Sequence, residues 1–235
     1  MAKLKVMCAR SMHQAVDALA RDFSRENSHA VALDFGTVGA LQAKIAAGEG
    51  ADVLILSVPA IERLEQAGAL VVGTRANVAR TSIGVAVRAG APTPDISTAA
   101  AFKRTLIDAR AIAFSDAAVG GSAGVYLVGL FERMRLSAMI RAKGMPQPSG
   151  AEVARRVAEG KAEIGLTLIG EIVPIAGVTV AGPLPSPHGN ETTYCAAVSA
   201  ASEERAAAEA FIAALTRPAT RDIWKAAGFD LPDGR

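Results

Sequence analysis

Residues 3–68 alternate short apolar runs with amphipathic stretches, and this alternation constrains the fold more than any other feature of the chain. Lys3–Ala9, 30–35 and 53–56 read as strands. Between the first two, Met12, Ala15, Val16, Leu19, Ala20 and Phe23 fall on one stripe, which predicts a helix over 12–26. Helices over 38–47 and 59–67 follow and stop at Gly48 and Gly68. Strands separated by single helices pair in parallel, because a parallel connection needs a crossover of about a dozen residues or more. The expected fold class is α/β, with mostly parallel sheets flanked by helices.

The pattern changes after residue 80. The run SIGVAVR, 82–88, reads as a strand, and a Pro- and Gly-rich loop, AGAPTPD, follows it. A second set then begins, with a helix near 97–107, a strand over 111–114, helices over 123–134 and 151–159, and strands over 164–168 and 178–181. After PLPSPHGNET, 183–192, which reads as a linker, come a strand over 193–198 and helices over 203–215 and 218–226. The expectation is two lobes, 1–80 with 193–235 and 81–192, joined by two hinge crossings and closing on a ligand. No repeat is visible in the sequence.

Charge and composition exclude several function classes. The 25 basic residues nearly balance the 23 acidic ones, so nothing points to nucleic acid or to a membrane surface. Aromatic residues make up 4% of the chain, too few for stacking platforms. No run approaches the roughly 20 apolar residues of a membrane span. Cys8 and Cys195 form no CxxC pair, and His13, His29 and His188 lack ligand spacing, so neither a metal nor a cofactor is expected. The opening MAKLKVMCAR passes straight into a strand. A cytoplasmic location is expected if Met1 is the true start, and a periplasmic one if a leader was removed.

The junctions carry the chemistry. Ser11 stands where a helix N-cap belongs, with Arg10 beside it. Gly36-Thr37, Gly120-Gly121-Ser122 and Ser149-Gly150 repeat the device before the next helices. A helix start presents unpaired N–H groups and about half a positive charge. In an open parallel sheet these starts lie at the carboxyl ends of the strands, where ligands bind. Arg10 gains nothing from the dipole at a helix start, so a bound anion explains it, and Arg80 at the first crossing offers a second guanidinium. A guanidinium favours a bidentate acceptor such as a carboxylate or a tetrahedral oxyanion. No Walker loop, GxGxxG or GxSxG competes.

ARSMHQAVDALARDF, DFGTVGALQAKIAAGEGADVLI, GSAGVYLVGLFERM, SGAEVARRVAEGKAEIGLTLIGEI and AFIAALTRPATRDIWKAAGF together resemble the periplasmic solute-binding proteins of the molybdate-binding type. The resemblance spans nearly the whole chain and is most specific over 34–56. It implies the two-lobed type II periplasmic-binding-protein fold, a monomer, a small anion as ligand and an ABC transporter permease as partner. By position it implies ligand contacts from Ser11 and Met12, from Thr37 and Val38, from Ser122, Ala123 and Gly124, and from Gly150 and Ala151. Thr167 and Leu168, in Gly165-Leu166-Thr167-Leu168, stand where molybdate binders carry a tyrosine. Cys8 and Arg10 replace small residues before the first serine. These departures favour a carboxylate ligand over molybdate.

Some aconitate isomerases resemble the same proteins over their full length. That resemblance implies an alternative function, isomerisation of a small polycarboxylate, with arginines holding carboxylates and a base near the methylene carbon. His13 and Cys8 are the candidate bases. Transcriptional sensing has no support, since no DNA-binding segment is visible.

Overall fold

Three parallel strands, each followed at once by a helix, occur twice along the chain in the computed structural model, which describes residues 2–232. The chain divides into two compact units, Met1–Arg80 with Thr192–Arg235 and Thr81–Glu191.

In the first unit β1 (Lys3–Ala9) lies between β2 (Ala30–Gly36) and β3 (Val53–Ser57), parallel to both. β9 (Glu191–Val198) runs antiparallel to β3, with Leu56 opposite Cys195 and Ser57 opposite Tyr194. All five residues of β3 are buried, as expected of a strand covered on both faces. The helices α1 (His13–Asn27), α2 (Val38–Ala46) and α3 (Val58–Gln66) follow β1, β2 and β3 in turn. The stripe read from the sequence is the buried face of α1, and Phe23 meets Phe211 edge to face at 5.2 Å. Burying a side chain of that size contributes about 1.5–3 kcal/mol. Phe211 belongs to α9 (Arg205–Thr216), and α10 (Arg221–Ala226) follows it. Trp224 of α10 is fully buried, and its indole Nε1 donates to the Leu215 carbonyl at 3.0 Å.

The second unit repeats the plan. β5 (Ile112–Ser115) lies between β6 (Gly144–Gln147) and β7 (Ile164–Leu168), parallel to both. β4 (Ala76–Arg88) runs antiparallel to β7, and β8 (Val178–Pro183) antiparallel to β4. A 3-10 turn and α5 (Ser122–Arg133) follow β5, α7 (Gly150–Ala158) follows β6, and the single turn α8 (Ile169–Ile172) follows β7. Two further helices, α4 (Ala99–Asp108) and α6 (Ser137–Lys143), complete the unit.

The outer–central–inner order β2-β1-β3 thus matches β6-β5-β7, each flanked by an antiparallel strand, β9 or β4. This repeat lies in the topology alone and left no trace in the residues. The mixed α/β class is as expected. The sheets carry more antiparallel pairing than strand–helix alternation suggested, since β9, β4 and β8 connect over distances the local pattern does not reveal. α6 and β6 were not anticipated. Pro146 hides β6 from a propensity reading, yet an edge strand tolerates proline because one row of its N–H groups needs no partner.

Candidate functional site

Each parallel strand hands over to its helix at the carboxyl edge of its sheet, so each unit gathers its helix starts along one edge. In the first unit the handover after β1 differs from expectation. Ser11 is not an N-cap: Arg10–Met12 form a 3-10 turn, the α-helix starts at His13, and Met12 holds the cap position. The Ser11 hydroxyl instead donates to the phenol oxygen of Tyr194 at 2.7 Å, deep in the protein. Tyr194 comes from β9 and is 1% exposed. The Met12 side chain is buried in the core, which leaves only its backbone for a ligand. Arg10 is exposed and forms no ion pair among the described residues.

After β2, Thr37 caps α2 as expected, its Oγ1 accepting from the Ala40 N–H at 3.2 Å, and the half-buried Val38 opens the helix. After β3, Ser57 occupies the cap position of α3 and is buried, but its hydroxyl makes no hydrogen bond among the described residues. Phe35, near the end of β2, meets the ring of the exposed His13 edge-on at 4.7 Å.

Cys8 is poorly suited to act as a base. It is fully buried in β1, and burial pushes its thiol far above the ordinary cysteine range. A buried thiol without a cationic neighbour stays protonated and inert. Arg80 lies inside β4 as the last residue before the chain passes into the second unit, and its backbone exchanges hydrogen bonds of 2.8 and 2.9 Å with Asp230.

In the second unit Ser122 is the first residue of α5, one place beyond the cap, which is Gly121. Its hydroxyl makes no hydrogen bond among the described residues. Ala123 is buried behind it. Gly124 has a packing role: a Cβ there would come within 2.5 Å of the Asp116 carbonyl. Ser149 caps α7 by accepting from Glu152 N–H at 3.3 Å.

The Gly150 amide is not available in the way the helix start suggested. It donates to Glu171 Oε1 at 3.2 Å, and a Cβ on Gly150 would lie 2.2 Å from Glu171 Oε2 and from Thr167 Oγ1. Thr167 is fully buried, lies 2.8 Å from the Ser115 hydroxyl and donates to Glu171 Oε2 at 3.1 Å. The Leu168 side chain is buried as well, while Ala151 is half-buried in the first turn of α7.

Ser57, Ser115, Glu171 and Tyr194 were missed in the sequence. Ser57 and Ser115 each end a short apolar strand, a signal that was legible. Glu171 and Tyr194 carry no local signal, since their partners lie in other elements. Among the described residues no group of histidine, cysteine or acidic side chains could hold a metal ion, and no helix is long and apolar enough to cross a membrane.

Two α/β units that each line up helix starts at the ends of three parallel strands have the architecture of the periplasmic binding proteins. The chain belongs to the bacterial extracellular solute-binding protein family, whose model matches residues 4–230. It is similar to an aconitate isomerase from a Pseudomonas species, with 36% identity over 194 residues, covering 81% of this chain and 70% of that protein. The periplasmic molybdate-binding protein of Azotobacter vinelandii shares the fold at a TM-score of 0.80 and 24% identity, over 98% of this chain and all of that one. The sulfate-binding protein SubI of Mycobacterium tuberculosis does so at 0.79 and 18%, over 99% of this chain and 88% of that one.

Proposed function

We propose that this protein binds a small carboxylate-bearing anion and delivers it to an ABC transporter permease from outside the cytoplasm. The observation that carries the reading is the repeated handover. In each unit, hydroxyls stand along one sheet edge: Thr37 and Ser57 at helix starts in the first and Ser122 in the second, with the buried Ser11 and Ser115 at the strand ends hydrogen-bonded to Tyr194 and Thr167. Backbone N–H groups at the starts of α2 and α5 have no earlier carbonyl partner among the described residues and suit an anion, whereas at α1 His13 N–H donates to the Arg10 carbonyl. Arg10, exposed and without an acidic partner among the described residues, adds a guanidinium matched to a carboxylate.

The test is a thermal-shift screen with molybdate, sulfate, phosphate, citrate and trans-aconitate. A true ligand at 100 times its dissociation constant stabilises the fold by about 2.7 kcal/mol. A carboxylate is expected to raise the melting temperature, and R10A to weaken its binding far more than R25A, since Arg25 is paired with Asp22 at 2.6 Å on the outer face of α1. Shifts with oxyanions alone, or equal effects of the two substitutions, would refute the reading.

The 36% identity to an aconitate isomerase supports a second reading, isomerisation of a small polycarboxylate at the same residues. His13, exposed at the first position of α1, is then the candidate for proton transfer. An ultraviolet absorbance assay with trans-aconitate decides: turnover abolished by H13A supports catalysis, and tight binding without turnover supports transport.

A further inference from the structure

The helices α2, α3, α4 and α7 each begin behind a hydroxyl residue in extended backbone, Thr37, Ser57, Thr98 and Ser149 in turn. Thr37, Thr98 and Ser149 turn their hydroxyls back to accept the N–H three residues on, at 3.2, 3.1 and 3.3 Å. Ser57 does not. Its backbone, at φ −61° and ψ 147°, matches that of Thr37 at −63° and 153°, yet its hydroxyl makes no hydrogen bond among the described residues. The Ala60 N–H that it would cap has no acceptor among the described residues either, and Pro59 between them carries no N–H. Ser57 is 8% exposed. A hydroxyl so deeply buried is costly to leave unpaired unless a group from outside completes it. Its oxygen is not among the described atoms that are both unpartnered and sealed from solvent, so a ligand can reach it. The pairing of β3 with β9 sets Ser57 opposite Tyr194, so its side chain leaves the sheet on the face where the Tyr194 phenol meets Ser11.

We propose that Ser57 is a specificity-determining donor, which together with the Ala60 N–H holds one carboxylate of a polycarboxylate ligand. The assignment rests on the anion-binding reading above and deepens it. A carboxylate offers two acceptor oxygens, and the hydroxyl and the amide offer two donors at one helix start, where the dipole favours negative charge. The starts of α2 and α3 follow β2 and β3, which flank β1 on either side. Neighbouring strands lie about 4.8 Å apart, so these two helix starts stand roughly 10 Å from each other. That span suits two carboxylates carried on one ligand and is wide for the oxygens of a single small ion. Thr37 spends an acceptor site on its own helix, whereas Ser57 keeps its whole hydroxyl for the guest.

The test is calorimetric titration of the wild type, S57A and T98A with citrate, trans-aconitate, sodium sulfate and sodium molybdate, beside thermal unfolding of each protein without ligand. T98A removes a hydroxyl that does cap its helix and serves as the control. It is expected to lower the melting temperature by about 2–4 °C and to leave the affinity unchanged. S57A is expected to do the opposite. Its melting temperature should stay within about 1 °C of the wild type, because no capping bond is lost. Its affinity for the polycarboxylate should fall at least roughly tenfold. An affinity within about threefold of the wild type overturns the role of Ser57 and leaves the anion-binding reading intact. A fall in melting temperature as large as that of T98A overturns it too, since the hydroxyl then caps α3 in solution. Binding of sulfate or molybdate without binding of either polycarboxylate overturns the assignment of a carboxylate to this position. Failure of every form to bind any of the four probes overturns both readings.

Discussion

Ser11 donates its hydroxyl proton to Tyr194 across 2.7 Å, joining residues 183 positions apart through the pairing of β3 with β9. Both side chains are buried, so the bond is made without competition from water. Y194F removes the acceptor and leaves a buried donor unsatisfied, which costs about 1–3 kcal/mol. Urea denaturation is expected to show this loss. S11A/Y194F should lose less than the sum of the single changes, because the two report on one bond. Strict additivity would mean that the pair is not coupled.

Of the three glycines in GGSAG, 120–124, Gly121 and Gly124 have different duties. A Cβ on Gly121 meets no atom within 4 Å, whereas one on Gly124 would lie 2.5 Å from the backbone of Asp116. G121A is expected to change stability by less than about 0.5 kcal/mol. G124A is expected to cost about 1–3 kcal/mol or more, since backbone cannot step aside as a flexible side chain can. Thermal unfolding of the two variants side by side checks the contrast.

Gly150 and Glu171 form a second coupled pair. G150A forces its new methyl into the space of the Glu171 and Thr167 oxygens and is expected to destabilise by about 1–3 kcal/mol. Added to E171A, the same substitution should cost measurably less, because one of the two obstructing groups is gone. A cycle of chemical denaturation over the four proteins measures the difference.

The two cysteines are buried and free, and burial raises both thiols above their ordinary range. A chromogenic disulfide reagent at neutral pH is expected to find no reactive thiol in the native protein and both after unfolding. Rapid modification of Cys8 in the folded state would restore it as a candidate for chemistry.

The elements of the first unit were legible because their signals are local. The stripe on α1, the buried run of β3 and the threonine that caps α2 each follow from residues within one or two turns of each other. Ser11 misled because an N-cap and a serine in a 3-10 turn look alike in one dimension, and the choice was made by a tyrosine arriving from β9. Gly150 misled for the same reason: a helix start reads as a free anion site until Glu171 is brought over it. Pro146 concealed β6, whose edge position is a property of the assembled sheet.

By itself, then, the sequence determined the α/β class, the strand–helix units and the points where helices begin, all set by apolar periodicity and turn chemistry over short spans. Only the tertiary structure decided which helix starts keep their amides for a ligand and which are taken by the protein's own groups. That choice depends on side chains such as Tyr194 and Glu171, which strand pairing and helix packing carry in from elements far along the chain. No local pattern encodes such encounters.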